Sequence, residues 1–207
     1  MLKKKEIELK DNDALLLVDV QKDFLPGGAL AVPNADKILP FLNAYIKIFS
    51  NRGLNIYLTR DWHPKDHCSF KECGGLWPKH CVQESEGAKF AEELIIPDNA
   101  IIISKATDKD KDAYSGFDNT ELDSLLKSKN IERLFVGGLA TDYCVKATVL
   151  DALSLGYKVF VLLDAIKAVN VNPKDEESAL LEMKDKGATF IDISSLSDDI
   201  VDSTGNC

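Results

Sequence analysis

Leu134-Phe135-Val136-Gly137-Gly138-Leu139-Ala140-Thr141-Asp142-Tyr143-Cys144-Val145 joins a β-type run to a helical pattern through two glycines. The run Leu134–Val136 is apolar and suited to a strand. Thr141 and Asp142 are candidate helix caps, and helical periodicity continues from Tyr143 to Leu155. A strand that turns straight into a helix is the repeating unit of an α/β sheet. The same turn puts Cys144 in the first turn of the helix. Unpaired backbone N–H groups and the helix dipole there favour a thiolate. A free cysteine is also commonly a small buried filler, and this stretch leaves both roles open.

Working outward, the unit repeats. Strand candidates are Ala14–Val18, Asn55–Thr59, Ala100–Ser104, Arg133–Val136, Lys158–Leu163 and Thr189–Asp192. Helical periodicity covers Asp36–Ser50, Glu121–Lys127, Tyr143–Leu155 and Asp175–Asp185, with a shorter piece around Lys89–Leu94. Pro33-Asn34 and Asn172-Pro173 are start signals, and Gly53, Gly156 and Gly187 are stops. Alternating strands and helices predict a three-layer α/β/α domain, 1–207, around a mostly parallel six-stranded sheet. Ligands of such sheets bind beyond the carboxyl ends of the strands. Asp19 follows the first strand and Lys105 the third, so an acid, an ammonium and the Cys144 thiol are expected at one sheet edge. Taken singly, Asp19 can be a turn residue and Lys105 a solvated charge.

Composition bounds the function. The 207 residues, 45% hydrophobic and 29% charged, suit an ordinary globular enzyme with a proper core. A net charge of −9 argues against nucleic acid or anionic membranes as the main partner. No apolar run reaches the length of roughly 18 residues that a membrane span requires. Lys3-Lys4-Lys5 leads into Glu6-Ile7-Glu8 rather than an apolar stretch, unlike a signal peptide. Five cysteines, an odd number, read as reduced thiols and a cytoplasmic location. The polar tail Asp198–Cys207 is expected to fray, with Cys207 outside the chemistry.

The segment from about 60 to 85 is a loop-rich insertion that carries all three histidines. Asp61 follows the second strand candidate, and Asp61-Trp62-His63 can offer a carboxylate and an imidazole to one ion. His80, returned by the Gly74-Gly75 turn, can add a second imidazole. Two histidines and one carboxylate leave coordination positions open, as in a working metal site, and zinc, ferrous iron and manganese are all admissible. His63 and His80 can instead be plain surface-loop residues. A structural zinc held by His67, Cys68, Cys73, His80 and Cys81 is disfavoured, because those spacings match no compact knuckle. Trp62, Phe70 and Trp77 suit either a core or a pocket for a flat ring.

Six stretches in order resemble the nicotinamidases of the isochorismatase-like cysteine hydrolases, from about Asp13 to Leu196. They are Leu17-Val-Asp19-Val-Gln-Lys-Asp-Phe24 with Gly27-Gly28, Asp61-Trp-His63-Pro-Lys-Asp-His67, Trp77-Pro-Lys-His80-Cys81, Lys105, Tyr114-Ser115-Gly-Phe117, and Gly138-Leu-Ala-Thr-Asp-Tyr-Cys144-Val145. The resemblance implies an isochorismatase-like fold and hydrolysis of nicotinamide to nicotinic acid and ammonia in NAD salvage, with pyrazinamide as a surrogate. It implies that Cys144 is the nucleophile, Asp19 the proton carrier, and Lys105 the cation that keeps the pair charged. It further implies a cis peptide before Ala140 and an oxyanion hole formed by the N–H groups of Ala140 and Cys144. One divalent metal, most simply zinc, would be held by Asp61, His63 and His80. His67 stays open as a further ligand, with Ser69 able to hold a metal-bound water instead. Phe24, Leu30, Trp77 and Tyr143 match positions that wall the substrate ring. The family ranges from monomers to larger assemblies, so a homo-oligomer stays open. Cys68 and Cys73 are extras that the family pattern does not require. The competing readings are a cysteine hydrolase for another small amide or carbamoyl compound, and a non-catalytic metal- or ligand-binding protein on the same fold.

Overall fold

The computed structural model describes residues 7–196. The expected frayed tail Asp198–Cys207 and the Lys3–Lys5 run lie outside the described residues. Six strands form one sheet: β1 (Asp13–Val18), β2 (Asn55–Asp61), β3 (Ile101–Lys105), β4 (Arg133–Leu139), β5 (Lys158–Lys167) and β6 (Thr189–Ile191). Their spatial order is β3-β2-β1-β4-β5-β6, and every neighbouring pair is parallel. The order reverses direction between β1 and β4. That reversal opens the crevice at which doubly wound sheets take their ligands.

The sequence of β1 shows why helices cover both faces. Asp13-Ala-Leu-Leu-Leu-Val18 is buried throughout, as a central parallel strand must be. Alternate side chains point to opposite faces. Leu15 and Leu17 join the core under α1 (Leu39–Asn51), with Leu42, Tyr45 and Phe49. Ala14, Leu16 and Val18 join the core under α2 (Leu122–Ser128) and α3 (Lys146–Ser154), with Leu126 and Val149. Fully burying each such leucine or phenylalanine is worth about 1.5–3 kcal/mol. A fourth helix, α4 (Asp175–Asp185), buries Ala179 and Met183. Helices α1, α3 and α4 end just before the expected Gly53, Gly156 and Gly187, all of positive φ.

Several boundaries differ from the sequence expectation. β4 runs on through both glycines to Leu139, because Gly138 lies against β1. A Cβ on Gly138 would come within 2.1 Å of the Val18 carbonyl oxygen. β5 continues to Lys167 past an irregular step opposite Val136 and Gly138. The third helix opens with a π-helical turn, Thr141–Val145, before α3 itself. Thr141 and Asp142 do not cap it: the cap position is Ala140, without a side-chain hydrogen bond. The Asp142 carboxylate instead accepts from the N–H groups of Val169 (2.9 Å) and Asn170 (2.8 Å), tying the turn to the loop after β5. The first helical stretch opens with a 3₁₀ turn, Ala35–Ile38. Around Lys89–Leu94 there is no helix. That backbone is drawn out against the segment after β1, through Lys22 N–H to Lys89 O and Ala91 N–H to Val20 O, both 2.9 Å.

Candidate active site

Asp19, the first residue after β1, turns out of the sheet with φ 50°. A non-glycine residue in this region is uncommon and clusters at functional sites. The turn leaves Asp19 fully buried at the sheet edge, with Oδ1 accepting from Thr59 Oγ1 at 2.7 Å. Lys105, the last residue of β3, is also buried and points back to the same place. Its Nζ lies 3.0 Å from Asp19 Oδ2 and donates to Asp61 Oδ1 at 2.5 Å, to Ala113 O at 3.3 Å and to Cys144 Sγ at 3.4 Å. Asp19 Oδ2, fully buried, is thus held by the Lys105 ammonium. Asp19, Asp61 and Cys144 each offer a ligand-type atom within 4.8 Å of the others. Three strand ends thus bring the acid, the ammonium and the thiol into one cluster.

Burial dominates the electrostatics of the pair. It pushes the Asp19 carboxyl up to about 6 against the opposing pull of Lys105. It drives the Cys144 thiol well above the ordinary cysteine range, again against Lys105. The sequence led us to expect that the helix start and the lysine would leave a thiolate. Lys105 acts in the expected direction, but desolvation outweighs it. At rest the cysteine is a thiol beside a carboxylate able to take its proton. Lys105 itself is penalised by burial, yet Asp19 and Asp61 hold its ammonium well above the usual lysine range.

On the other side of Lys105 stand Asp61, His63 and His80, all buried, with ligand-type atoms within 4.8 Å of one another. His63 Nδ1 lies 3.1 Å from the His80 carbonyl oxygen, and His80 Nδ1 lies 2.7 Å from that of Pro78. A carbonyl can only accept, so each Nδ1 carries a proton, which leaves Nε2 as the nitrogen that each ring can offer a metal. Histidine ligands are oriented for a metal by such outer hydrogen bonds. Burial pushes His63 down to about 4, which keeps it neutral as a ligand must be. Asp61 would be raised by burial, but Lys105 and the two histidines hold it below the usual carboxylate range. One carboxylate oxygen and two imidazole nitrogens therefore fit a divalent ion such as zinc, and this donor set equally suits iron or manganese.

His67 is built differently. The Ser69 N–H donates to its Nδ1 at 3.2 Å, which fixes Nδ1 as an acceptor and leaves Nε2–H to donate to Lys111 O at 3.0 Å. Ser69 Oγ is also 2.8 Å from Nδ1. These bonds occupy both ring nitrogens, although the ring lies tilted against His63, centroid to centroid 4.4 Å, and offers a ligand-type atom within 4.8 Å of those of His63 and Asp112.

Between the thiol and the metal-type cluster lies a pocket. Phe24, Leu30, Trp77 and Tyr143 all line it, with Ala140, Cys144, Asp61, His63 and His80. Trp77 and Tyr143 meet edge to face at 5.0 Å. The Leu139–Ala140 peptide is cis, as the resemblance implied. Sequence reasoning had given no role to several further residues. Val32, Ala113 and Val169 also line the cavity, and Tyr114, which lines it too, accepts a hydrogen bond from Trp77 Nε1 at 2.9 Å. Thr59 orients the Asp19 carboxylate. The Asp23 carboxylate accepts from Cys81 N–H at 2.7 Å and Ala29 N–H at 3.2 Å, joining the His80 loop to the Leu30 loop. Tyr114 and Asp23 lie inside the quoted motifs, but such roles depend on packing between distant segments.

Comparison with known proteins gives a consistent set of likenesses. The sequence profile described as Isochorismatase domain matches residues 13–195. A protein of Escherichia coli (strain K12) named Nicotinamidase is 44% identical over 198 residues, covering 86% of this chain and 93% of its own. The crystal structure of a pyrazinamidase of Pyrococcus horikoshii in complex with zinc superposes with a TM-score of 0.85 at 50% identity, over 88% of this chain and 99% of that one. The structure of PnC1 from L. infantum in complex with nicotinate does so at 0.86 and 36% identity, over 92% and 98%.

Proposed function

The chain belongs to the isochorismatase family, and from that premise we propose that it is a metal-dependent cysteine amidase hydrolysing nicotinamide to nicotinic acid and ammonia. The observation that carries the reading is the buried cluster in which Asp19, paired with the Lys105 ammonium, stands beside the Cys144 thiol. A binding protein has no use for a buried carboxylate and ammonium beside a thiol, whereas a nucleophile requires a proton acceptor held within reach.

In this reading Asp19 takes the Cys144 proton as Sγ attacks the carboxamide carbon. The N–H groups of Ala140 and Cys144 receive the developing oxyanion. Collapse breaks the C–N bond, and Asp19 returns its proton to the departing nitrogen, which leaves as ammonia. The thioester then takes a water that Asp19 deprotonates, the C–S bond breaks, and Cys144 recovers its proton as the acid departs. Lys105 keeps Asp19 ionised enough to act and offsets negative charge on sulfur. Phe24, Leu30, Trp77 and Tyr143 wall the ring. Asp61, His63 and His80 would hold the divalent ion, for which the zinc complex of the pyrazinamidase relative favours zinc. When bound, that ion supplies a Lewis-acidic partner for the pyridine nitrogen, which orients the substrate.

Pyrazinamide, with a ring nitrogen in the same relation to its carboxamide, is expected as a second substrate. The activity would serve NAD salvage in the cytoplasm, where the thiols of Cys68, Cys73, Cys81 and Cys144, all free, stay reduced. No helix among the described residues is long and apolar enough to cross a membrane. The test is ammonia release from nicotinamide, pyrazinamide and a panel of carbamoyl compounds, with Cys144→Ala as control. Turnover of the first two that is lost in the variant supports the proposal. Turnover of carbamoyl compounds alone would move the substrate class, and a fully active Cys144→Ala would refute the mechanism.

A further inference from the structure

β1 and β2 deliver their terminal carboxylates in different ways, and one side chain reconciles them. Asp19 N–H donates to Thr59 O at 3.2 Å, the last regular rung between the two strands. A regular parallel ladder would continue with Asp61 N–H to Asp19 O, then Gln21 N–H to Asp61 O. The chain cannot do so, because Asp19 has turned away at φ 50° and Gln21 N–H closes on Asp19 O at 2.9 Å. The backbone N–H and C=O of Asp61 face β1 with no strand left to meet them. The Gln21 side chain fills both places. Its Oε1 accepts from Asp61 N–H at 2.7 Å, and its Nε2 donates to Asp61 O at 2.8 Å and to Ala88 O at 2.9 Å. The amide is fully buried, and all three of its bonds go to backbone.

We infer that Gln21 is a positioning residue: its carboxamide stands in for the missing peptide of β1, fixing Asp61 for the metal while β1 departs to present Asp19. The inference rests on the reading of Asp61 as a metal ligand. Only a primary amide supplies the acceptor and the two donors at this reach. A glutamate would set its carboxylate against two carbonyl oxygens, and a methionine would leave three buried backbone groups unpaired.

The test compares the wild-type enzyme with Gln21→Glu and Gln21→Met. Zinc affinity is read by competition with a chelator, kcat and KM at saturating zinc, and folding by circular dichroism and thermal melting. A positioning role predicts zinc affinity lower by on the order of 10–100-fold, as for other outer partners of metal ligands. It also predicts that kcat is largely recovered once zinc is saturating. A merely structural role would lower the melting temperature and kcat together, without recovery in zinc. Either variant binding zinc like the wild type would overturn the inference. Amide hydrogen exchange on the metal-free wild-type protein decides the matter if neither variant folds. Slow exchange at Asp61 is expected, and fast exchange would show that the Gln21 rung does not exist. Wild-type protein that binds no zinc yet protects the Asp61 amide would sink the metal reading and leave the rung standing.

Discussion

Replacing Lys105 by methionine removes the cation that contacts both Asp19 (3.0 Å) and Asp61 (2.5 Å) while keeping a similar volume. All three side chains are essentially sealed from solvent, so water cannot take over the ammonium's role. Breaking a buried ion pair by removing one partner costs about 3–5 kcal/mol, because an uncompensated charge is left behind. In a domain of this size 1 kcal/mol corresponds to roughly 2–4 °C in Tm, so the metal-free variant should melt about 6–20 °C below wild type. The loss should also depend on pH. Burial already raises the Asp19 carboxyl to about 6, and without Lys105 it rises further. At pH 5 Asp19 is then neutral and the penalty shrinks, whereas at pH 8 it is full. Zinc should restore part of the stability by giving Asp61 another cation. Thermal melting in chelator at pH 5 and pH 8, then with zinc, reads all of this. A variant that melts within about 2 °C of wild type at pH 8 would refute the view that Lys105 balances the two carboxylates.

Other consequences follow from the same geometry. In the proposed mechanism Asp19 must be ionised to accept the thiol proton, and burial pushes its carboxyl up to about 6 against the pull of Lys105. The kcat/KM for nicotinamide should therefore fall as pH drops through about 6 and be level above it, and a profile still flat at pH 4.5 would contradict the assignment. His67 holds Lys111 O and the Ser69 N–H rather than a free lone pair. His67→Gln should keep one zinc per chain with affinity reduced by no more than about 10-fold, while loss of the zinc in elemental analysis would make His67 a ligand.

The parallel sheet is readable because strands buried on both faces appear as unbroken apolar runs, as in Leu15-Leu16-Leu17, whereas the strand order that makes the switch point is not. The candidate residues were readable for a related reason: Asp19, Asp61 and Lys105 each stand at the end of such a run, where the chain leaves the core. What escaped was whatever depends on partners far along the chain. Lys89–Leu94 has a helical pattern, yet its backbone is needed by Val20 and Lys22 to cover the turn after β1. Asp142 looks like a cap, but the N–H groups of Val169 and Asn170 claim its carboxylate. The acidity of Cys144 was misjudged because a helix start and a lysine are visible in the chain, whereas the depth of burial that overrides them is not. Gln21 could be counted within a motif, but its bonds to Asp61 exist only once β1 and β2 lie side by side.

The central claim is that a buried cysteine cluster and an adjacent metal site act together on one pyridine carboxamide. It is tested most directly by following ammonia release from nicotinamide as the metal is stripped with a chelator and then returned as zinc, iron or manganese. Turnover should be lost on stripping and regained with at least one of the three. Undiminished turnover by protein shown to be metal-free would contradict it.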